Sequence, residues 1–255
     1  MYFQKHRPWT IVLSGLFSIL CTGVLSCGYH FWAGELKPVE EELQSSGMKV
    51  SDDGSVTFVK DRFELSVRPL TINELNRHFP SHSQGGREST NPYTYGDWKD
   101  PATGESPERF TVFLLRLKNY AYPKVQVDPS KALIITDAGM TYLPLGKLDL
   151  ERYYRPYISG YAGVLFLRFE ERKDAVRSTL YPPDEVFSGQ EKEGFVVFPK
   201  LHHQVRRVQF ILRDVVLRFD FRNEPLEMID VQYDFHRETG RLYGDGRLVK
   251  ATSAD

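Results

Sequence analysis

The side chains able to do chemistry in this chain are spaced in ways that exclude more than they suggest. Its histidines are His6, His30, His78, His82, His202, His203 and His236. His202 and His203 are neighbours, and on a strand neighbours point to opposite faces, so the two do not chelate one metal. His78 and His82 have helical spacing, but Pro80 between them breaks the helix that would put both on one ion. No metal site is expected and no cofactor: the chain has no phosphate loop, no dinucleotide fingerprint and no Gly-x-Ser-x-Gly elbow. Acid pairs such as Glu170-Glu171 and Asp184-Glu185 read most simply as solvent-facing charges, because a glycosidase needs two carboxylates set opposite each other by the fold. Two aromatic groups remain. Tyr93, Tyr95 and Trp98 lie in a polar stretch, while Tyr153, Tyr154 and Tyr157 surround Arg155, with Tyr161 beyond. Rings of this kind stack on a sugar or a partner surface, and an arginine adds a cation–π contact. They also serve to cover the edge or end of a sheet, and the sequence leaves both roles open. The candidate binding residues are therefore Tyr93, Tyr95, Trp98, Tyr153, Tyr154 and Arg155, and no catalytic residue is assigned.

The remaining reactive group is Cys27. Lys5, His6 and Arg7 form a positive head, and the chain then runs without charge from Trp9 to Leu25. That is the pattern of a secretory signal, a little short for a comfortable bilayer span of about 20 residues. Val24-Leu25-Ser26-Cys27 at its end resembles the lipobox of bacterial lipoproteins. The resemblance implies that Cys27 is acylated, that the chain is cut between Ser26 and Cys27, and that acyl chains on Cys27 hold the protein to a membrane. Two or three chains anchor firmly, since each buried methylene contributes about 0.8 kcal/mol. Gly28 rather than Asp after the cysteine favours the outer membrane in a host with two. An uncleaved signal anchor and an ordinary cleaved signal are the alternatives. The only other cysteine, Cys21, lies inside the apolar run, so the mature chain forms no disulfide.

Composition agrees with a folded exported domain. The 255 residues carry Lys+Arg 33 against Asp+Glu 34, with 41% hydrophobic, 13% aromatic and 26% charged residues. That balance excludes a collagen, a coiled coil, a wholly disordered chain and a polytopic membrane protein, and it argues against a nucleic-acid partner. Residues 1–26 are expected to be the signal, 27–47 a membrane-proximal spacer, 48–238 the folded domain and 239–255 a flexible tail. Within the domain, Ser51-Asp-Asp-Gly54 is a turn between strands, and Phe63, Leu65 and Val67 alternate with polar residues. Thr71-Ile-Asn-Glu74 is a capping box that opens a short helix. Residues 81–108, rich in Ser, Gly and Pro, read as a long loop without regular structure. Residues 110–118 form a central strand buried on both faces, 132–143 a hairpin, and 163–169 and 194–198 further strands. Residues 215–222 and 229–236 make a hairpin with one dry and one wet face. The pattern predicts a mainly β, antiparallel sandwich with one or two short helices.

The segments “VFLLRLKNY” and “ALIITDAGMTYLP” within 110–144, followed by Glu193-Gly-Phe-Val-Val-Phe-Pro199, resemble the exported immunoglobulin-like sandwich domains found on bacterial lipoproteins. The resemblance spans residues 110–235, lacks the cysteine–tryptophan–cysteine set and implies no catalytic residue. The function expected is that of a lipid-anchored envelope protein, not an enzyme, presenting loops to an envelope protein or glycan. An envelope hydrolase acting on polysaccharide or peptidoglycan and an assembly or trafficking factor are the competing expectations.

Overall fold

The computed structural model describes residues 28–158 and 163–251; Cys27, the leader before it and Tyr161 lie outside the described residues. In chain order the elements are β1 (Tyr29–Ala33), β2 (Lys37–Pro38), β3 (Met48–Val50), β4 (Val56–Lys60), β5 (Phe63–Leu70), α1 (Ile72–His78), β6 (Phe110–Asn119), β7 (Lys124–Gln126), β8 (Ala132–Thr136) and β9 (Thr141–Tyr142). They continue with α2 (Lys147–Tyr154), α3 (Val164–Thr179), β10 (Glu185–Phe187), β11 (Gln190–Pro199), β12 (Arg207–Phe219), β13 (Pro225–His236), β14 (Thr239–Tyr243) and β15 (Leu248–Lys250).

Two antiparallel sheets make the sandwich. In the first, β3 to β6 lie side by side in chain order and β11 closes the far edge of β6. In the second, β12 is central, paired with β13 on one side and with β7 and β8 on the other. Alternation decides what meets in the middle. Phe63, Leu65 and Val67 of β5 and Phe113, Leu115 and Leu117 of β6 are buried against Phe210, Leu212, Val231, Tyr233 and Phe235 of the second sheet. The ring of Phe113 lies 4.9 Å from that of Phe210 and 5.5 Å from that of Phe235. Tyr233 spans the layers and donates its buried hydroxyl proton to the Leu65 carbonyl at 2.8 Å. The β-sandwich class predicted from the sequence is therefore the observed one. Its first sheet is a four-strand meander extended by β11, a connectivity different from the A-B-E-D sheet of an immunoglobulin domain.

A third layer covers the outer face of the first sheet. Phe110 and Val112 of β6 and Phe195 and Val197 of β11 point away from the sandwich core and bury Leu75, Phe79, Tyr93, Leu150, Tyr154, Phe169 and Val176. Both faces of β6 are thus dry at its start, as its unbroken apolar run requires. Gly194 belongs to this junction, because a Cβ there would overlap the backbone of Leu180 and Tyr181 where the chain leaves α3. The capping box at α1 is formed: Thr71 Oγ1 accepts from the Glu74 N–H at 3.2 Å, and the Glu74 carboxylate accepts from the Thr71 N–H at 2.9 Å. Burial alone would raise the Glu74 pKa, but the Thr71 N–H, Arg68 and the Thr71 hydroxyl together hold it below its ordinary 4.5. Thr71→Ala should cost about 1 kcal/mol, a fall of about 3 °C in melting temperature. The Glu74 contribution is complete above 4.5 and is lost as pH falls through the lower folded value. Melting curves should accordingly show Glu74→Gln and the wild type converging in acid, and a gap of constant size would contradict this assignment.

Three expectations are corrected. Residues 163–169 are not a strand: they open α3, in which Phe169, Arg172, Ala175 and Val176 form the buried stripe. Residues 28–47 are not a free spacer, because β1 pairs with β14 in register from Tyr29↔Tyr243 to Ala33↔Thr239, and β2 pairs with β13 at Phe235↔Pro38. Gln44 locks this stretch down by bonding both ways with the Asp234 backbone, at 2.8 and 3.0 Å. Nor is 239–255 loose as a whole, since β14 and β15 complete a three-stranded sheet with β1. Among the described residues, regular structure therefore runs from Tyr29 to Lys250.

Candidate functional site

The 81–108 segment is built rather than structureless, and Asn91 is its hub. Fully buried, Asn91 accepts from the Tyr93 N–H at 2.9 Å and the Thr94 N–H at 3.3 Å. Its amide donates to Ser83 Oγ at 2.8 Å and to the Leu75 carbonyl at 3.3 Å. Side-chain bonds of this kind replace the ladder that a segment rich in Ser, Gly and Pro does not make. Gly96, at φ 63°, presses against the Ser83 carbonyl and the Ser89 side chain, leaving no room for a Cβ.

This framework separates the residues nominated from the sequence. Tyr93 is not a surface ring: it is 0% exposed, lies 5.4 Å from the Phe195 ring, and its hydroxyl is 2.7 Å from Thr179 Oγ1. Tyr154 is likewise buried, at the end of α2, where its hydroxyl donates to the Pro92 carbonyl at 2.6 Å. Both are core because the helical layer needs large rings to cover β6 and β11. Tyr95 and Trp98 remain half-buried, with ring centroids 5.9 Å apart. Tyr153 is 37% exposed and Tyr157 55% exposed. Arg155 is exposed on a 3-10 turn, and among the described residues no ring lies beneath it.

The two aromatic groups, read separately from the sequence, form one cluster, and Arg109 joins them. Its guanidinium carbon lies 4.0 Å from the Tyr95 ring and 5.6 Å from the Tyr154 ring. Its Nη1 donates to the Tyr154 hydroxyl at 2.9 Å and to the Asn91 carbonyl at 3.2 Å. Arg172 of α3 stacks on Tyr154 at 5.0 Å and donates to the Ser89 carbonyl at 2.7 Å. Arg87 lies over Trp98 at 4.7 Å, and Arg168 is paired with Glu88. Burial, and after it the Tyr95 and Tyr157 oxygens, raises the Tyr153 pKa well above its ordinary value. Burial lowers the Arg172 pKa, and the neighbouring guanidiniums of Arg109 and Arg168 lower it further. Arg109 and Arg172 were missed in the sequence. Arg172 carried a usable signal, a cation at the buried position of a 165, 169, 172, 176 stripe.

Two hollows lie elsewhere, beside the three-stranded sheet, and none of the nominated residues lines them. The larger, about 1060 Å³, has a mixed lining that includes Asp137, Arg207, Asp234, His236 and Lys250. The smaller, about 350 Å³, lies along Phe31, His203, Arg241 and Tyr243. His202 and His203 do not point apart as a strand would make them. They sit in the turn between β11 and β12 with rings 4.0 Å apart, and Phe31 of β1 stacks on His203 at 3.8 Å. Burial, and after it the neighbouring His202, Lys200 and Arg237, keeps the His203 pKa below its ordinary value. Glu108, at the foot of the loop, is raised by burial in spite of Thr111 Oγ1 at 2.8 Å and Arg237 at 3.6 Å. Among the described residues no three His, Cys, Asp or Glu side chains cluster to hold a metal ion. No described helix is long and apolar enough to cross a membrane.

Comparison with protein-family models, with curated proteins and with solved structures yields no match to this chain.

Proposed function

We propose that this is a lipid-anchored cell-envelope protein, held through acyl chains on Cys27, whose β-sandwich is a non-catalytic scaffold for a binding face. The face is the Tyr95, Trp98, Tyr153 and Tyr157 rim of the helical layer, and its partner is an envelope protein or glycan. The observation that carries this reading is the backing of half-exposed rings by arginines, Arg109 behind Tyr95 and Arg87 on Trp98, which holds flat surfaces rigid at the rim. On this reading only Gly28 separates the anchor from β1, so the three-stranded sheet is the part of the domain closest to the bilayer. Where the host has two membranes, Gly28 favours the outer one.

The test is co-sedimentation of the purified domain with isolated cell-wall polysaccharide and with envelope membranes. The double substitution Tyr95→Ala and Trp98→Ala should reduce binding at least about fivefold, as expected for losing two stacking rings, with melting lowered by no more than about 4 °C. Equal sedimentation of the variant and the wild type would remove the rim from the binding face.

A further inference from the structure

Three arginines set into this molecule, Arg172 and Arg237 buried and Arg109 half-buried, are treated in two different ways. Arg237 has its counter-ion: its Nη1 lies 3.6 Å from Glu108, its Nε donates to the Val205 carbonyl at 2.9 Å, and its Nη2 donates to the His202 carbonyl at 2.7 Å. Arg109 and Arg172 have none. Among the described residues no carboxylate lies within 4 Å of either, and the Nε of each is buried without a hydrogen-bond partner. Arg172 is only 8% exposed. A buried cation such as Arg172 is costly unless it is paired, and the half-buried Arg109 guanidinium near it adds repulsion. The tyrosine faces and the Ser89 and Asn91 carbonyls compensate in part, as dipoles and quadrupoles do, but they add no negative charge. A third guanidinium near them, Arg168, is paired with Glu88. The cluster therefore has a surplus of positive charge in a chain whose acids otherwise slightly outnumber its lysines and arginines.

We infer that the Arg109–Arg172 cluster is a binding site for an oxyanion carried on a sugar, a uronate carboxylate or a sugar phosphate. The guanidiniums supply the charge and the directed N–H groups that oxyanions need. Tyr95, Tyr153 and Tyr157 at the rim supply faces for the C–H surface of the ring that bears the anion. This rests on the rim being the binding face proposed above, and it names what that face selects.

The experiment uses the purified domain and four probes: an oligomer of galacturonate, the same oligomer with its carboxyls methyl-esterified, glucose 6-phosphate and inorganic phosphate. Titration calorimetry should show the galacturonate oligomer binding at least about tenfold more tightly than its neutral ester, with the difference shrinking at high salt. The sugar phosphate arm tells which oxyanion is preferred, and inorganic phosphate alone should bind more weakly than either sugar. Arg172→Met should abolish the preference for the charged oligomer while leaving the melting temperature of the free domain unchanged or higher, because it removes an uncompensated buried charge. A large fall in melting temperature with the charge preference intact would make Arg172 a structural residue and overturn the inference. Tyr157→Ala, at an exposed position, guards against a folding artefact: it should weaken oligomer binding several-fold and leave the phosphate response alone. Equal binding of the charged and neutral oligomers overturns the anion site but leaves the rim as a binding face. No binding of any probe overturns the site, and no effect of Tyr157→Ala on a bound oligomer takes the rim with it.

Discussion

Tyr93→Ala is expected to lower the melting temperature by roughly 10 °C. The ring is fully buried between Phe79 and Phe195, with centroids 5.8 and 5.4 Å away. Truncating a buried aromatic to alanine costs about 3–5 kcal/mol, and each kcal/mol moves a chain of this size by about 2–4 °C. The hydroxyl contributes separately: it is bonded to Thr179 Oγ1 at 2.7 Å, and Thr179 in turn donates to the Ala175 carbonyl at 2.6 Å. Tyr93→Phe should therefore cost about 1 kcal/mol, the net worth of one hydrogen bond. Because Tyr93 ties the 81–108 segment to α3 and to β11, its loss should also raise hydrogen exchange at the Tyr93 and Thr94 amides bonded to Asn91. A near-neutral Tyr93→Ala would mean that the segment is not docked on the sheet, and the rim of the binding face would lose its support.

Cys27→Ala is expected to abolish incorporation of labelled fatty acid completely and to leave a precursor that keeps residues 1–26. The chemistry has no substitute, since Cys27 is the only thiol behind the small residue Ser26, and Cys21 lies inside the apolar run. One acyl chain gives marginal membrane binding and two or three give a stable anchor, so the difference between variant and wild type is all or none. The folded domain itself should be unaffected, because the described fold begins at Tyr29 and draws its register from β14. Undiminished labelling of the variant would exclude Cys27 as the acylated residue.

How much of this was legible in the sequence follows from the range of the interactions involved. The capping box at Thr71 and Glu74, the turn closed by Gly54 at φ 81°, and the hairpin in which Ile134 faces Tyr142 are fixed by residues a few positions apart. The alternation of Phe63, Leu65 and Val67 is local as well. The start of α3 reads as a strand in the sequence because 163–169 is a short apolar run, which periodicity alone does not assign to helix or strand. Its helical stripe shows only when Arg172 is accepted as an inward residue. The strand at Tyr29-His-Phe-Trp-Ala has aromatics that favour a strand, but it reads as spacer in the sequence because its partner, β14, is more than two hundred residues away in the chain. The binding rim has the same origin. Tyr95 and Tyr154 were each visible as aromatics in polar surroundings, but Arg109, which touches both, lies in an ordinary strand approach and becomes notable only when the fold brings the two segments together.

The most direct test of the account is the intact mass of the protein extracted from membranes, beside that of Cys27→Ala. Loss of residues 1–26 with added acyl mass, both absent from the variant, is the predicted result, and it would fix the domain to the envelope with β1 next to the bilayer. A full-length, unacylated mass would contradict it: the protein would then be held by its uncleaved apolar run, and neither the anchor at Cys27 nor the sorting inferred from Gly28 would stand.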